Sequence, residues 1–460
     1  MLPFVRTRIH TSVVRLAIVC TLFLLSARSA AAQSELVEFP AVGPFNGFNN
    51  HFVVVECVSF GSQGTNVKIT LRAMNGTVMG SQTLGVPAFG STHYILNSIA
   101  NISDKIGTFE LTKLDNVFDA PIACNTIHYR RHLNGTVNYA IGVPVRRPLV
   151  GDSWGTYNSH DPENQVPTKN WLTIFNPNKA EDIPQGSANF KALLRVYNQN
   201  GTFKKVVPIN LGPGQRTDIE LGTPEGQFTG LYKIDTSDST PYESFLARYN
   251  SPNGGQSFKF GLSLLSNKGT CNQTMPISTM GNGGGSTTVW LELANTGGYP
   301  VNATITVRGP TGLVEHTEQR QISGFGMSSV AMNQFIDPSA VGNMGTVTVE
   351  CEDPESQNLV MQTAHYGRTG VGGPVSWAYI SQGRNLPEAG SNDALVGAVN
   401  TFLGAENWVG QINHLPNVPT IKVSQFNQIG GLVNSVTYPI AARGVATYDA
   451  HSPAGANVIG

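Results

Sequence analysis

WLTIFN (171–176), WLELAN (290–295) and WVGQIN (408–413) each set a tryptophan five residues ahead of an asparagine, and their spacing decides the fold. The tryptophans stand 119 and 118 residues apart. A further step of 119 towards the N-terminus lands on Phe52, in the apolar run FVVV, with Cys57 in the asparagine's place. A fixed period marks tandem structural units.

Other landmarks keep the same register. A strand rich in branched residues follows each anchor: VKITLRAM (67–74), FKALLRVY (190–197), ATITVRG (303–309) and TIKVSQF (420–426). Each runs into a glycine turn at Asn75-Gly76, Asn200-Gly201, Thr311-Gly312 or Gly430-Gly431, the usual signal of a hairpin. Gly90, Gly214, Gly326 and Gly444 open a later strand, and Gly107, Gly230 and Gly345 open the next. Tyr129, Tyr249 and Tyr366 follow Phe52, Trp171 and Trp290 by 77, 78 and 76 residues. Gly135, Gly254 and Gly373 follow them by 83, and Tyr139, Phe258 and Trp377 by 87.

Each unit therefore reads as about seven short alternating strands joined by Gly/Asn turns. This pattern resembles the immunoglobulin-like and fibronectin-type-III-like β-sandwich repeats of secreted bacterial surface proteins. The resemblance spans residues 36–460 on strand count and repeat length alone. It implies an all-β fold of tandem immunoglobulin-like antiparallel β-sandwich domains, and a role in extension, adhesion or assembly. It transfers no functional residue, because a fold does not fix a function. The expected division is a signal peptide (1–32), repeats at 33–148, 149–268 and 269–385, and an incomplete repeat at 386–460.

The N-terminus supports export. Arg6, Arg8 and Arg15 precede an apolar run from Leu16 to Leu25, and Ala30-Ala31-Ala32 supplies a cleavage site before Gln33. That run is too short to span a bilayer, and Cys20 follows Val19 inside it, where a lipobox would need a small residue. A transmembrane segment is not expected after cleavage, and the localisation is secreted or extracytoplasmic. Removing residues 1–32 takes away four arginines, leaving 25 basic against 30 acidic residues. This balance gives no reason to expect nucleic acid as a partner. Charged residues make up 13% of the chain and Gly numbers 50, which suits a β protein with many turns. Cys57, Cys124, Cys271 and Cys351 remain for disulfides, with one bridge expected inside the first unit and one in the third.

Recurrence predicts that Phe52, Trp171, Trp290 and Trp408 point into the core, each tryptophan burying about 150–250 Å². An exposed aromatic ligand platform is the competing reading. The hydroxyls of Tyr129, Tyr249 and Tyr366 are expected to satisfy backbone carbonyls, as in a tyrosine corner. His128 and His365 recur beside them and read as structural.

No catalytic, cofactor or metal residue is expected. Gly151-Asp152-Ser153-Trp154-Gly155 matches G-x-S-x-G, but turn-like residues follow it, and a linker turn is the better reading. Asp449-Ala450-His451 is one residue too short for the partner motif of such esterases. Asp115, Asp119, Asp235, Asp238, Glu352, Asp353 and Glu355 recur in loops and read as solvated turns rather than calcium ligands. Gly281–Gly285 has no following Lys-Ser/Thr for a phosphate loop. Sequons at Asn75, Asn101, Asn134, Asn200, Asn272 and Asn302 read mainly as turn chemistry.

The fourth unit's pattern stops at Gly460, where its next strand is due. Two accounts are open: a longer array, or completion by an added strand from a partner, with Ser34–Phe39 (SELVEF) of another copy as a candidate donor. The sequence thus points to a non-enzymatic structural or adhesive surface protein. Its expected partners are a cell-surface or envelope protein or glycan, with self-association through the fourth repeat. The alternative is a carbohydrate- or protein-binding accessory module.

Overall fold

The fold was obtained as a computed structural model, which describes residues 41–115, 121–132, 137–159, 168–178, 189–222, 229–250, 260–279, 287–336, 344–352, 359–368, 373–385, 398–401, 407–456 and 458–460. The signal segment 1–32 with Cys20, the SELVEF segment, Asp119, Asn134, Gly135, Gly254, Phe258, Gly281–Gly285, Asp353 and Glu355 lie outside them.

The chain is all-β, built of small antiparallel sheets. Unit 1 comprises β1 (Ala41–Asn46), β2 (His51–Ser59), β3 (Thr65–Ala73), β4 (Val78–Val86), β5 (Ser91–Ile95), β6 (Ile106–Lys113), β7 (Ile122–Arg131) and β8 (Val137–Pro144). Unit 2 comprises β9 (Ser153–Asn158), β10 (Thr168–Phe175), β11 (Phe190–Asn198), β12 (Phe203–Leu211), β13 (Arg216–Leu221), β14 (Thr229–Thr236), β15 (Glu243–Asn250) and β16 (Phe260–Leu265). Unit 3 comprises β17 (Gln273–Ser278), β18 (Thr287–Asn295), β19 (Val301–Arg308), β20 (Val314–Ile322), β21 (Met327–Ala331), β22 (Met344–Cys351), β23 (Leu359–Arg368), β24 (Val375–Gln382) and the short β25 (Arg384–Asn385). Unit 4 contributes β26 (Trp408–Ile412), β27 (Thr420–Phe426), β28 (Leu432–Pro439) and β29 (Val445–Asp449).

Units 1 to 3 share one topology with eight main strands rather than seven. One sheet runs first–sixth–third–fourth and the other fifth–second–seventh–eighth, as in β1-β6-β3-β4 and β5-β2-β7-β8. The second strand thus lies between the fifth and seventh, whereas in immunoglobulin constant domains it lies beside the first. Alternation builds the cores: Val67, Ile69 and Leu71 of β3 turn inward against Val53, Val55 and Tyr94 of the facing sheet. Units 2 and 3 form the corresponding clusters around Leu172, Ile174 and Phe190, and around Leu291, Ile305 and Val347.

Both disulfides form within a unit, Cys57 with Cys124 and Cys271 with Cys351. Each joins neighbouring strands of one sheet: Cys57 and Cys124 are direct partners in the β2–β7 ladder, and Cys271 and Cys351 flank the β17–β22 ladder.

The repeated asparagine is a buried corner. Asn295 Oδ1 accepts from the Gly297 N–H at 2.9 Å, while its Nδ2 donates to the carbonyls of Tyr299, Ile322 and Ser323. Asn176 and Asn413 make the same kind of corner. Ladder registers give the unit 1 equivalent. The pairs Phe175↔Arg216, Ala294↔Met327 and Ile412↔Val445 correspond to Val58↔Ser91. Ser59, not Cys57, therefore takes the asparagine's place, with its Oγ accepting from the Gly61 N–H. Val54, not Phe52, takes the tryptophan's place.

The units do not string out; they close on one another. The turn after the third strand of each unit hydrogen-bonds to the start of the fifth strand in the next. Arg216 N–H donates to the Met74 carbonyl at 2.9 Å, Met327 N–H to Gln199 at 2.8 Å, and Val445 N–H to Pro310 at 3.1 Å. Ser91 N–H donates to the Gln428 carbonyl at 3.0 Å and so returns unit 4 to unit 1. The turn glycines Gly76, Gly201, Gly312 and Gly430 have φ of 87°, 86°, 82° and 87°. A Cβ on any of them would overlap a carbonyl oxygen of the receiving unit: Pro213, Gly324, Ala442 and Ala88 in turn. Glycine is required twice over, for its backbone angle and for the close approach.

Gly430→Ala should strain this turn by about 1–2 kcal/mol before the overlap with Ala88 is counted. The expected outcome is faster hydrogen exchange at the Ser91 amide together with a lower unfolding temperature.

Candidate functional site

The junctions between units hold the buried polar chemistry. In unit 3 the second strand turns one face into its own core and the other towards unit 2. In β18, Val289, Leu291 and Leu293 face inward, while Trp290, Glu292 and Ala294 face unit 2. This alternation corrects the expected role of the tryptophans. Trp290 is half-buried because it packs against the core of unit 2. Trp171 and Trp408, on the same outward face, are 39% and 55% exposed. Of the recurring aromatics Trp290 packs at a junction, and Phe52 shares that face two residues before Val54.

The late tyrosines also belong to junctions. Tyr366 Oη accepts from Arg248 Nη1 of unit 2 at 3.2 Å, Tyr129 Oη accepts from Asn400 Nδ2 of unit 4 at 3.1 Å, and Tyr249 hydrogen-bonds to Asn46 of unit 1. Each reaches a side chain of the preceding unit.

The junction between units 2 and 3 holds a buried ion pair. Arg248 and Glu292 are both fully buried, and two hydrogen bonds of 3.0 and 3.2 Å join guanidinium to carboxylate. Asn158 Nδ2 and Gln362 Nε2 donate to the same carboxylate, and Thr156 Oγ1 does so at 3.3 Å. Burial alone would raise the Glu292 carboxyl, but the charge and hydrogen bonds of Arg248 outweigh it and hold it below the usual carboxylate range.

Glu56 is the counterpart of Glu292 in unit 1 and sits in a different balance. It is buried and accepts from Asn400 Nδ2 at 2.6 Å. Burial raises its carboxyl against that hydrogen bond. His93 Nδ1 lies 3.8 Å from it, but burial lowers that imidazole to about 4 and keeps it neutral at pH 7.

The remaining candidates are engaged locally. Ser153 is buried at the start of β9, a strand and not the expected linker turn, and its Oγ accepts from Tyr242 Oη at 2.7 Å. Asp449 pairs with His451 at 2.7 Å in unit 4. Asp115 bonds to Thr65 and Asn66, Asp235 to Arg195 and Lys233, Asp238 to the Thr240 N–H, and Glu352 to Asn302. Among the described residues no group of three or more His, Cys, Asp or Glu side chains is placed to hold a metal ion. Asn75 and Asn200 accept from the Thr77 and Thr202 amides within their turns. His128 Nε2 lies against the Pro44 carbonyl, and His365 stacks on Tyr379. Sequence spacing did not expose Arg248, Glu292, Glu56, Asn158 or Asn400, although Arg248, His128 and His365 all immediately precede the late tyrosines.

No family model matches the chain, and neither does any curated protein. Among solved structures, the Thermotoga maritima protein 1070 is 16% identical over 26% of this chain and 96% of its own, with a TM-score of 0.21. A Bacteroides uniformis beta-glucuronidase is 12% identical over 51% of this chain and 26% of its own, with a TM-score of 0.13. Neither likeness is close enough to bear on function.

The two carboxylates should respond oppositely to neutralisation. Glu292, held low, adds stability above its unfolded value near 4.5 and loses it as pH falls through the lower folded value. Glu56, held high, adds stability below 4.5 and loses it as pH rises through its folded value. Thermal unfolding at pH 7 should show Glu292→Gln destabilised by about 3–5 kcal/mol, because Arg248 is left buried and unpaired. Glu56→Gln should unfold at a higher temperature than the parent at pH 7, with the gain vanishing near pH 4.

Proposed function

We propose that this chain is an exported, non-enzymatic structural or adhesive protein of the cell surface, its body a ring of four immunoglobulin-like two-sheet units. The observation that carries this reading is the pair of disulfides, each inside one unit and between strands already paired. Such bridges suit an oxidising compartment outside the cytoplasm. Among the described residues no helix is long and apolar enough to cross a membrane. The groups that could do chemistry support the same reading, because they are committed to packing: Ser153 to Tyr242, and Arg248 to Glu292.

A second reading, a carbohydrate- or protein-binding module, is favoured by one feature. Trp377 and Tyr379 stack along β24 with ring centroids 5.9 Å apart, and Tyr379 is exposed. Aromatic faces of this kind suit sugar rings or peptide.

Cells expressing the full chain should yield it outside the cytoplasm with all four mature cysteines protected from alkylation until reduced. A cytoplasmic chain with free thiols would remove the main support. A serine-reactive probe should leave Ser153 unlabelled, and labelling that disappears in Ser153→Ala would establish an enzyme instead.

A further inference from the structure

The junction between units 4 and 1 repeats the side chains around the arginine of the junction between units 2 and 3, and among the described residues no arginine stands in it. In the occupied site, Arg248 stands opposite Asn170 in the β10–β15 ladder. Its guanidinium meets Asn170 Oδ1 at 3.4 Å, the Glu292 carboxylate, and Tyr366 Oη at 3.2 Å. Ladder registers give the corresponding positions. Asn407, just before Trp408, matches Asn170, and Glu56 matches Glu292. Tyr129, paired with Phe52, matches Tyr366, paired with Thr288.

The first-strand asparagines confirm the match. Asn158 N–H donates to Asn170 Oδ1 at 3.1 Å, and Asn400 N–H donates to Asn407 Oδ1 at 3.1 Å. Asn158 Nδ2 donates to Glu292 Oε1 at 3.0 Å, and Asn400 Nδ2 donates to Glu56 Oε1 at 2.6 Å. Four side chains of the cradle are thus duplicated in identity and in position.

The backbone that would deliver the arginine has a place to dock. In units 1 to 3 the second strand is flanked by the fifth and seventh. Among the described residues β26 pairs with β29 alone, and no described strand lies along its other edge. Val409 beside that edge is 41% exposed, while its equivalents Val55, Leu172 and Leu291 are each 0% exposed.

We propose that the edge of β26 away from β29 binds an extended arginine-bearing segment from outside residues 1–460, which pairs antiparallel with it and places that arginine opposite Asn407, against Glu56 and Tyr129. Charge selects this occupant. Glu56 is a buried carboxylate whose only nearby basic group among the described residues is a neutral histidine. A segment carrying a guanidinium supplies the missing countercharge and two or more donors to it. The SELVEF segment of another copy is a poor occupant on the same ground, because it carries Glu35 and Glu38 and no basic residue. This inference goes beyond the surface-protein reading and holds wherever the protein resides.

The test uses the mature chain and two capped peptides: ESFLARYN, the sequence of β15, and the same peptide with methionine in place of arginine. Hydrogen exchange should show the arginine peptide protecting amides of β26. A titration followed by tryptophan fluorescence should find the methionine peptide roughly tenfold weaker or more. Glu56→Gln should cost the arginine peptide a similar factor and leave the methionine peptide unchanged. Equal affinity of the two peptides, no protection at β26, or indifference to Glu56→Gln would each overturn the proposal. Concentration-dependent self-association of the mature chain that Glu56→Gln abolishes would also overturn it, by placing the donor in a second copy.

Discussion

At every junction a hairpin carbonyl accepts from the first amide of another unit's fifth strand, and a left-handed glycine lets the two backbones come together. A side chain at that glycine would meet a carbonyl oxygen and also pay for its backbone angle. The contact buries few atoms, yet it fixes where the next unit begins and at what angle. Contacts between units follow from it: Trp290, the late tyrosines and the buried ion pair meet their partners because the turns hold the sheets at that distance. Four copies of the contact bring the chain back to its own first unit.

Within that frame each junction solves its polar problem differently. Between units 1 and 2, Arg216 donates to the carbonyls of Phe45 and Gly107 and is held by Asp218. Between units 2 and 3 a fully desolvated ion pair is surrounded by donors that satisfy its spare oxygens. Between units 3 and 4, His365 occupies the position of Arg248 and the residue matching Glu292 is Gly410, so neither charge is present. A buried ion pair is weak evidence for stability in itself, since desolvation consumes much of the attraction. What a different polar set at each junction can supply is order, because a unit docked in the wrong place would leave a charge without its counterpart.

Much of this fold was legible in the sequence because alternation and glycine turns are local signals. VKITLRAM, FKALLRVY, ATITVRG and TIKVSQF fall largely in β3, β11, β19 and β27, and the turn glycines Gly76, Gly201, Gly312 and Gly430 that follow them adopt the expected positive φ. The face of the tryptophans was not legible. A period of about 119 residues shows that a position recurs, but not whether it turns to its own core or to a neighbouring unit. The unit 1 anchor slipped by two residues for a related reason: with no tryptophan or asparagine there, only ladder pairing identifies Val54 and Ser59. The candidate site was hidden further, since Glu56 and Asn400 lie 344 positions apart and neither belongs to a motif. The cysteines offered the opposite case, because each bridge stays within one unit.

Return of the chain to its starting unit also orders events during synthesis. Unit 1 is complete long before the residues that seat against Glu56 and Tyr129 leave the ribosome. Loop closure over such a length adds little further entropic cost, since that cost grows only logarithmically with length. The delay is kinetic: three units can dock in succession as they emerge, while the outer face of unit 1 waits for the last. For that interval a buried-type carboxylate and an apolar sheet face stand in solvent, the state in which a growing chain is most open to capture by a chaperone or by the wrong neighbour.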